Sequence, residues 1–171
     1  DQAAIKELAT MPSAPAKTAP PAGETEVTLT DVHLCCGGCR RGVEKAASGF
    51  DVEVSTSGSR VTVKGEKGSE VQKALDAIAE AGFYGRSDHE TVKIADVAAA
   101  DSESSKVKVS GVHLCCESCV KAVNEALSSV SGFQEHDAAD GADSFEVSGE
   151  GLKAGEIVAA LRAKGLNGTV R

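Results

Sequence analysis

Val27 and Leu29 alternate with Thr28 and Thr30, a period-two pattern that predicts a half-buried strand, and Val107 and Val109 repeat it later in the chain. In both places the apolar parity then slips by one residue, because Val32/Leu34 and Val112/Leu114 are out of step with the pairs before them. A bulge at Asp31 and at Gly111 accounts for the slip. Beyond it Leu34 and Leu114 face inward. Their neighbours His33 and Cys35, and His113 and Cys115, therefore project toward the opposite, open face.

From Cys39 and Cys119 onward the spacing turns helical, through Val43, Ala46, Ala47 and Phe50 in one copy and Val123, Leu127 and Val130 in the other. Two strands are expected next, over 50–55 and 60–64, then again over 133–138 and 144–148, separated by turns rich in Gly, Ser and Asp. Ser69 and Gln72 suggest a capping box ahead of Val71, Ala74, Leu75 and Ile78, a stripe matched by Ala154, Ile157, Val158 and Leu161. Gly82 and Gly165 stop these helices, and a last short strand follows each. The order β-α-β-β-α-β occurs twice, which predicts an α+β chain of two tandem ferredoxin-like domains.

The domains are placed at 24–88 and 106–171. Between them, 89–105 is rich in Ala, Asp and Ser and reads as a mobile linker, with one short stretch, 92–95, suited to pairing elsewhere. All four prolines, Pro12, Pro15, Pro20 and Pro21, fall in the Ala/Pro-rich segment 1–23, which is expected to be extended and flexible. The chain starts at Asp1 without Met, so removal of a signal or anchor is expected, with an extracytoplasmic (periplasmic or secreted) location. An arbitrary boundary is the plain alternative.

Composition narrows the picture further. Of 171 residues 41% are hydrophobic but only 3% aromatic, with no Trp, so each half must build a small aliphatic core that a bound ion would help to stabilise. The net charge of -8, with no basic run interleaved with aromatics, argues against a nucleic-acid partner. No stretch approaches the roughly 20 apolar residues of a membrane helix.

The chemistry lies in a repeated motif, His33-Leu34-Cys35-Cys36-Gly37-Gly38-Cys39 and His113-Leu114-Cys115-Cys116-Glu117-Ser118-Cys119, which together hold all six cysteines. Cys39 and Cys119 fall in a first helical turn, where unpaired amides favour thiolate, the form that coordinates metal. Arg40 and Arg41 follow the first motif, whereas the second carries Glu117 and only Lys121, so the first site is expected to have the more acidic thiols and the tighter grip. A competing reading is oxidation to Cys36–Cys39 and Cys116–Cys119 disulfides, which would leave one thiol per cluster unpaired. For His33 and His113 three roles stand: direct ligand, outer partner of a thiolate, or surface histidine. His89 and His136 are expected to be solvated. The acidic run 137–143 lacks EF-hand spacing, and Asn167-Gly168-Thr169 is a weak glycosylation match.

Both halves resemble the heavy-metal-associated domains of soft-metal ATPases, copper chaperones and mercury-binding proteins. Cys36-Gly37-Gly38-Cys39 and Cys116-Glu117-Ser118-Cys119 match the thiol pair of that family's Gly-Met-x-Cys-x-x-Cys loop, with Leu34 and Leu114 replacing the Met as an apolar plug. Gly82-Phe83-Tyr84 looks like the Gly-aromatic step beside the family's site. Gly165-Leu166-Asn167 departs from it, which predicts a less shielded second site. At the position of Cys35 and Cys115, zinc-transporting relatives commonly carry an extra ligand, Asp or in some members Cys. Copper members usually carry Thr, Ser or His. The resemblance thus leans toward a divalent ion, and Cys₃His is a standard tetrahedral Zn2+ set, although three thiolates also suit Cu+.

The expected function is to hold about one Zn2+ or Cu+ per domain, with Cd2+ or Hg2+ as further candidates, for carriage, buffering or sequestration. The metal set comprises Cys35, Cys36, Cys39 and His33 with Cys115, Cys116, Cys119 and His113. The expected partners are metal ions, another metal-binding domain or a transporter, and self-association through shared metal. The two domains could also clamp metal between six thiols. An enzyme is not expected: a thiol-disulfide redox protein is the main rival, but thioredoxin-like enzymes set a cis-proline against their thiols and this chain has no proline beyond Pro21. A disulfide-bearing interaction module, with cysteines that only cap the fold, is the third reading.

Overall fold

The computed structural model describes residues 24–96 and 102–170. The segment 1–23 therefore lies outside the described residues. The first half runs β1 (Thr25–Thr30), α1 (Gly37–Ala46), β2 (Asp51–Ser55), β3 (Arg60–Gly65), α2 (Gly68–Glu80) and β4 (Arg86–Ser87). The second runs β5 (Glu103–Ser110), α3 (Glu117–Leu127), β6 (Phe133–His136), β7 (Ser144–Lys153), α4 (Ala154–Ala163) and β8 (Thr169–Val170). Each half is a four-stranded antiparallel sheet, in the orders β2-β3-β1-β4 and β6-β7-β5-β8. These are the strand orders of a ferredoxin-like βαββαβ unit, twice.

The alternation along β1 explains why it is a central strand. Val27 and Leu29 are fully buried opposite Val63 and Val61, while Thr28 faces Thr62 on the other side. Helices close the apolar face with Val43 from α1, Ala47 at its C-cap, and Val71, Ala74, Leu75 and Ile78 from α2. Val123, Leu127, Ile157 and Leu161 do the same in the second half. Each such Leu or Ile contributes about 1.5–3 kcal/mol on leaving water, so these stripes carry most of the stability of two small cores.

The parity slip has a physical form. Asp31 and Gly111 adopt left-handed backbone, with φ of 60° and 74°. Leu29 lies opposite Val61 and the Val32 amide donates to the Ser59 carbonyl at 3.0 Å, so three residues on one strand advance two on its neighbour. The Val112 amide reaches Asp143 O in the same way, at 3.2 Å. The extra residue returns Leu34 and Leu114 to the core, where they are 6% and 3% exposed.

Three local expectations are corrected. Lys67, not Ser69, is the N-cap of α2 and makes no capping bond, because its ammonium has no acceptor, and Gln72 is engaged elsewhere. Its side chain donates to Lys93 O at 2.8 Å and accepts from Lys93 N at 3.2 Å. This clamp belongs to the second correction: 89–96 is folded against α2 rather than acting as a free linker, and the stretch set apart as suited to pairing, 92–95, supplies the buried Val92 and Ile94, only 9% and 4% exposed. His89 is not a bystander there, since its Nδ1 accepts from the Val92 amide at 3.0 Å and closes the turn. The end of the expected linker is also structured, as β5 begins at Glu103. Third, His136 is half-buried between the rings of Phe133 and Phe145, and its Nδ1 accepts from the Ala138 amide at 3.1 Å.

The halves meet through the segments that follow α2 and α4. Phe83 and Leu166 form an antiparallel bridge and are both fully buried. Around them the bonds are reciprocal: Tyr84 N donates to Gly165 O at 3.0 Å and Asn167 N to Gly82 O at 2.9 Å. An approximate twofold therefore relates the halves. Asn167 adds a side-chain bond to Ala79 O, at 2.9 Å, and the Arg162 guanidinium lies 4.6 Å from the centre of the Tyr84 ring. Gly82 and Gly165 are required for two reasons, a left-handed φ of 96° and 78° and an approach so close that a Cβ would overlap the backbone of the opposite half. At Gly82 it would meet His113 N and Gly111 O, and at Gly165 it would meet Asp31 O and His33 N.

Candidate metal centre

Each motif straddles a loop and a helix start. Cys36 and Cys116 are the N-cap residues of α1 and α3, in extended conformation, with no side-chain capping bond. Cys39 and Cys119 lie in the first turn beyond them and are fully buried. Cys35 is exposed, whereas Cys36, Cys115 and Cys116 are half-buried. None of the six is in a disulfide.

The interface turns the two open faces toward each other. Of the two arrangements left open by the sequence, separate surface loops or a clamp of six thiols, the structure has the second, one cluster. Across the halves, Cys35 Sγ lies 3.5 Å from Cys116 Sγ and 3.7 Å from Cys119 Sγ. Cys115 Sγ lies 3.5 Å from both Cys36 and Cys39, and the two deepest sulfurs, Cys39 and Cys119, are 3.9 Å apart. Within the halves, Cys35–Cys39 is 3.5 Å, Cys115–Cys119 3.8 Å and Cys116–Cys119 3.9 Å.

Three sets of four residues have donor atoms that all lie within 4.8 Å of one another. They are Cys35, Cys36, Cys39 and Cys115; Cys35, Cys115, Cys116 and Cys119; and His33, Cys35, Cys39 and Cys119. A tetrahedral ion with metal–sulfur bonds of about 2.3 Å requires sulfur–sulfur edges of about 3.8 Å. Eight sulfur–sulfur separations of 3.5–3.9 Å come close to that edge and the others within each set stay within 4.8 Å, so the residues fit a soft or borderline metal ion; Cys35, Cys39, Cys115 and Cys119 form a further such set.

Crowding sets the protonation. Cys39 is lowered to about 2, chiefly by the hydrogen bond from Cys119, with His113, Cys35 and Cys115 adding to this against the cost of burial. Cys119 is pushed up mainly by that same bond to Cys39, so the two innermost sulfurs share one proton. Burial raises Cys35, and it raises Cys115 to about 12, in both cases aided by bonds to neighbouring thiols. Cys116 falls to about 6 because the Cys119 amide at the start of α3 faces its sulfur. Metal-free, the cluster thus mixes thiols and thiolates. A cation would relieve the crowding and release protons.

Arginines do not supply this acidity. Arg40 is paired with Glu44 at 2.7 Å, and Lys121 with Glu117 at 3.2 Å. The expected contrast between two independent sites has no separate sites on which to act, because sulfurs of both halves set each other's protonation.

Both motif histidines line the junction. Nε2 of His33 and of His113 is buried without a hydrogen-bond partner, which excludes the surface-histidine reading. The His33 ring is held below its ordinary pKa by burial, against the pull of Cys39. Only His33 belongs to one of the four-donor sets. His113 instead packs on Phe83 of the other half, ring centres 4.5 Å apart, in space left by Gly42, where a Cβ would lie 2.9 Å from His113 Cε1. The expectation of a less shielded second site is corrected on that ground. The aromatic residue of the first half covers the histidine of the second.

No family model matches the sequence. No curated protein matches it either. Among solved structures, the chain is similar to the solution structure of the N-terminal soluble domains of Bacillus subtilis CopA, at 12% identity over 86% of this chain and 94% of that one, with a TM-score of 0.32. A likeness of that degree is no guide to what this chain binds. Among the described residues no helix is long and apolar enough to cross a membrane. The chemistry rests on the cluster itself: six thiols from two βαββαβ halves, gathered at the spacing of a soft-metal centre.

Proposed function

We propose that this protein binds soft or borderline d¹⁰ metal ions, Zn2+ ahead of Cu+, in a single thiolate cluster shared by its two halves, and serves to carry, buffer or sequester them. The observation that supports this reading is the set of 3.5–3.9 Å sulfur–sulfur separations that cross the interface. A purely structural ion fits less well. Cys35 is exposed, so an incoming ligand has a route for stepwise substitution. A second metal-binding domain or a transporter is the natural recipient. In this reading the chain is a binding protein and not an enzyme.

The test is uptake by the fully reduced chain against a competing chelator, with Zn2+ and Cu+ offered separately and together. The expected result is stoichiometric binding that protects the cysteines from alkylation. Failure to take up either ion, combined with catalytic reduction of a test disulfide, would replace this function with the redox one.

A further inference from the structure

We infer that the cluster is built for two divalent d¹⁰ ions per chain, in a binuclear centre where Cys35 and Cys115 each bridge both ions. Cys36 and Cys39 complete the coordination of one ion, and Cys116 and Cys119 that of the other. The inference rests on the metal-binding reading above and adds the number of ions and the role of each sulfur.

Two of the all-sulfur sets carry the argument. One is Cys35, Cys36, Cys39 and Cys115; the other is Cys35, Cys115, Cys116 and Cys119. They overlap in two residues, Cys35 and Cys115, the first cysteine of each motif. Two tetrahedral ions need eight ligand positions. Six thiolates supply eight when two of them are shared. The approximate twofold exchanges Cys35 with Cys115 and one Cys-x-x-Cys pair with the other, so the two coordination sets are equivalent, each with two terminal sulfurs from its own half.

Charge favours two ions over one. Six thiolates around a single divalent cation carry a net charge of -4, or else some thiols stay protonated in van der Waals contact with thiolates. Two cations reduce the net charge to -2. Assembly is plain ligand exchange: two M2+ displace up to six protons from the sulfurs, with no electron transferred. His33 and His113 then stand outside both coordination sets. Two rival one-ion sites stand against it: His33 with Cys35, Cys39 and Cys119, and the four sulfurs Cys35, Cys39, Cys115 and Cys119, five of whose six edges are 3.5–3.9 Å.

Native mass spectrometry of the reduced full chain with Zn2+, and NMR of the same chain loaded with 113Cd2+, test the arrangement. Two ions per chain and two cadmium resonances coupled through a common sulfur are expected. Cys35→Ser or Cys115→Ser should weaken both binding steps, each by more than the about 10- to 100-fold typical of losing an outer partner. Cys36→Ser or Cys116→Ser should weaken one step and spare the other. Far-UV dichroism of each metal-free variant shows whether it keeps the wild-type fold. One ion per chain, indifferent to Cys36→Ser and Cys116→Ser, would overturn the inference while leaving metal binding intact, and its loss or survival in His33→Ala would tell which one-ion site holds it. Two uncoupled ions, with Cys35→Ser affecting only one, would overturn it as well. No uptake of either ion would remove the parent function too.

Discussion

Gly49 and Gly82 share the same left-handed φ, 96°, but differ in what surrounds them. A Cβ at Gly49 would meet nothing within 4 Å, whereas one at Gly82 would overlap His113 N and Gly111 O of the opposite half. Gly49→Ala therefore measures backbone strain alone, about 1–2 kcal/mol. Gly82→Ala carries that strain and also forces the halves apart. It puts at risk the reciprocal bonds Asn167 N to Gly82 O and Tyr84 N to Gly165 O, each contributing about 1 kcal/mol. The expected loss is about 3–4 kcal/mol, roughly 2 kcal/mol beyond the control, read from urea unfolding followed by far-UV dichroism. Alkylation supplies a second readout: Cys39 and Cys119 are fully buried at the junction, and separation should expose them, so Gly82→Ala should speed their modification while Gly49→Ala does not. Equal destabilisation by the two variants, with Cys39 and Cys119 still protected, would refute the interface and the merged cluster with it.

Ile94 tests whether 89–96 is part of the core. Ile94→Ala should cost about 2 kcal/mol or more in unfolding free energy, whereas a change in a free linker would fall within about 0.5 kcal/mol. His136 provides a pH dependence away from the sulfurs. Burial lowers its pKa below 6.5, and its Nδ1 must stay unprotonated to accept from Ala138 N. The native state thus binds fewer protons than the unfolded state as pH drops through 6.5, so the contribution of His136 is present above that pH and is lost below it. His136→Gln should flatten the acid-side fall in stability relative to wild type, and an NMR titration midpoint of the ring at or above 6.5 would contradict the assignment.

Much of each half is legible in the chain. The Val27/Leu29 and Val107/Val109 alternation, the slip at Asp31 and Gly111, and the helical stripes through Val71–Ile78 and Ile157–Leu161 all report which face of an element loses water. The cysteine spacing likewise reports that thiols sit where a strand gives way to a helix. Local polar signals were less reliable. Ser69 and Gln72 resemble a capping box, but Gln72 spends its amide on Lys93. His89 and His136 look like solvated residues, yet each holds a turn through a ring nitrogen. Such bonds depend on a partner brought up by the fold, and short-range spacing does not encode it.

By itself the sequence determined two repeated βαββαβ units, an aliphatic core for each, and six thiols carried on two equivalent loops. The tertiary structure alone decided that these loops face each other. That outcome rests on Gly82-Phe83-Tyr84 and Gly165-Leu166-Asn167, two three-residue segments too short to show any periodicity. Their backbones approach within hydrogen-bonding distance because both glycines lack a Cβ. Hydrophobic pattern records the burial of a residue within its own unit, whereas a shared metal centre requires knowing which surface of one unit covers the other.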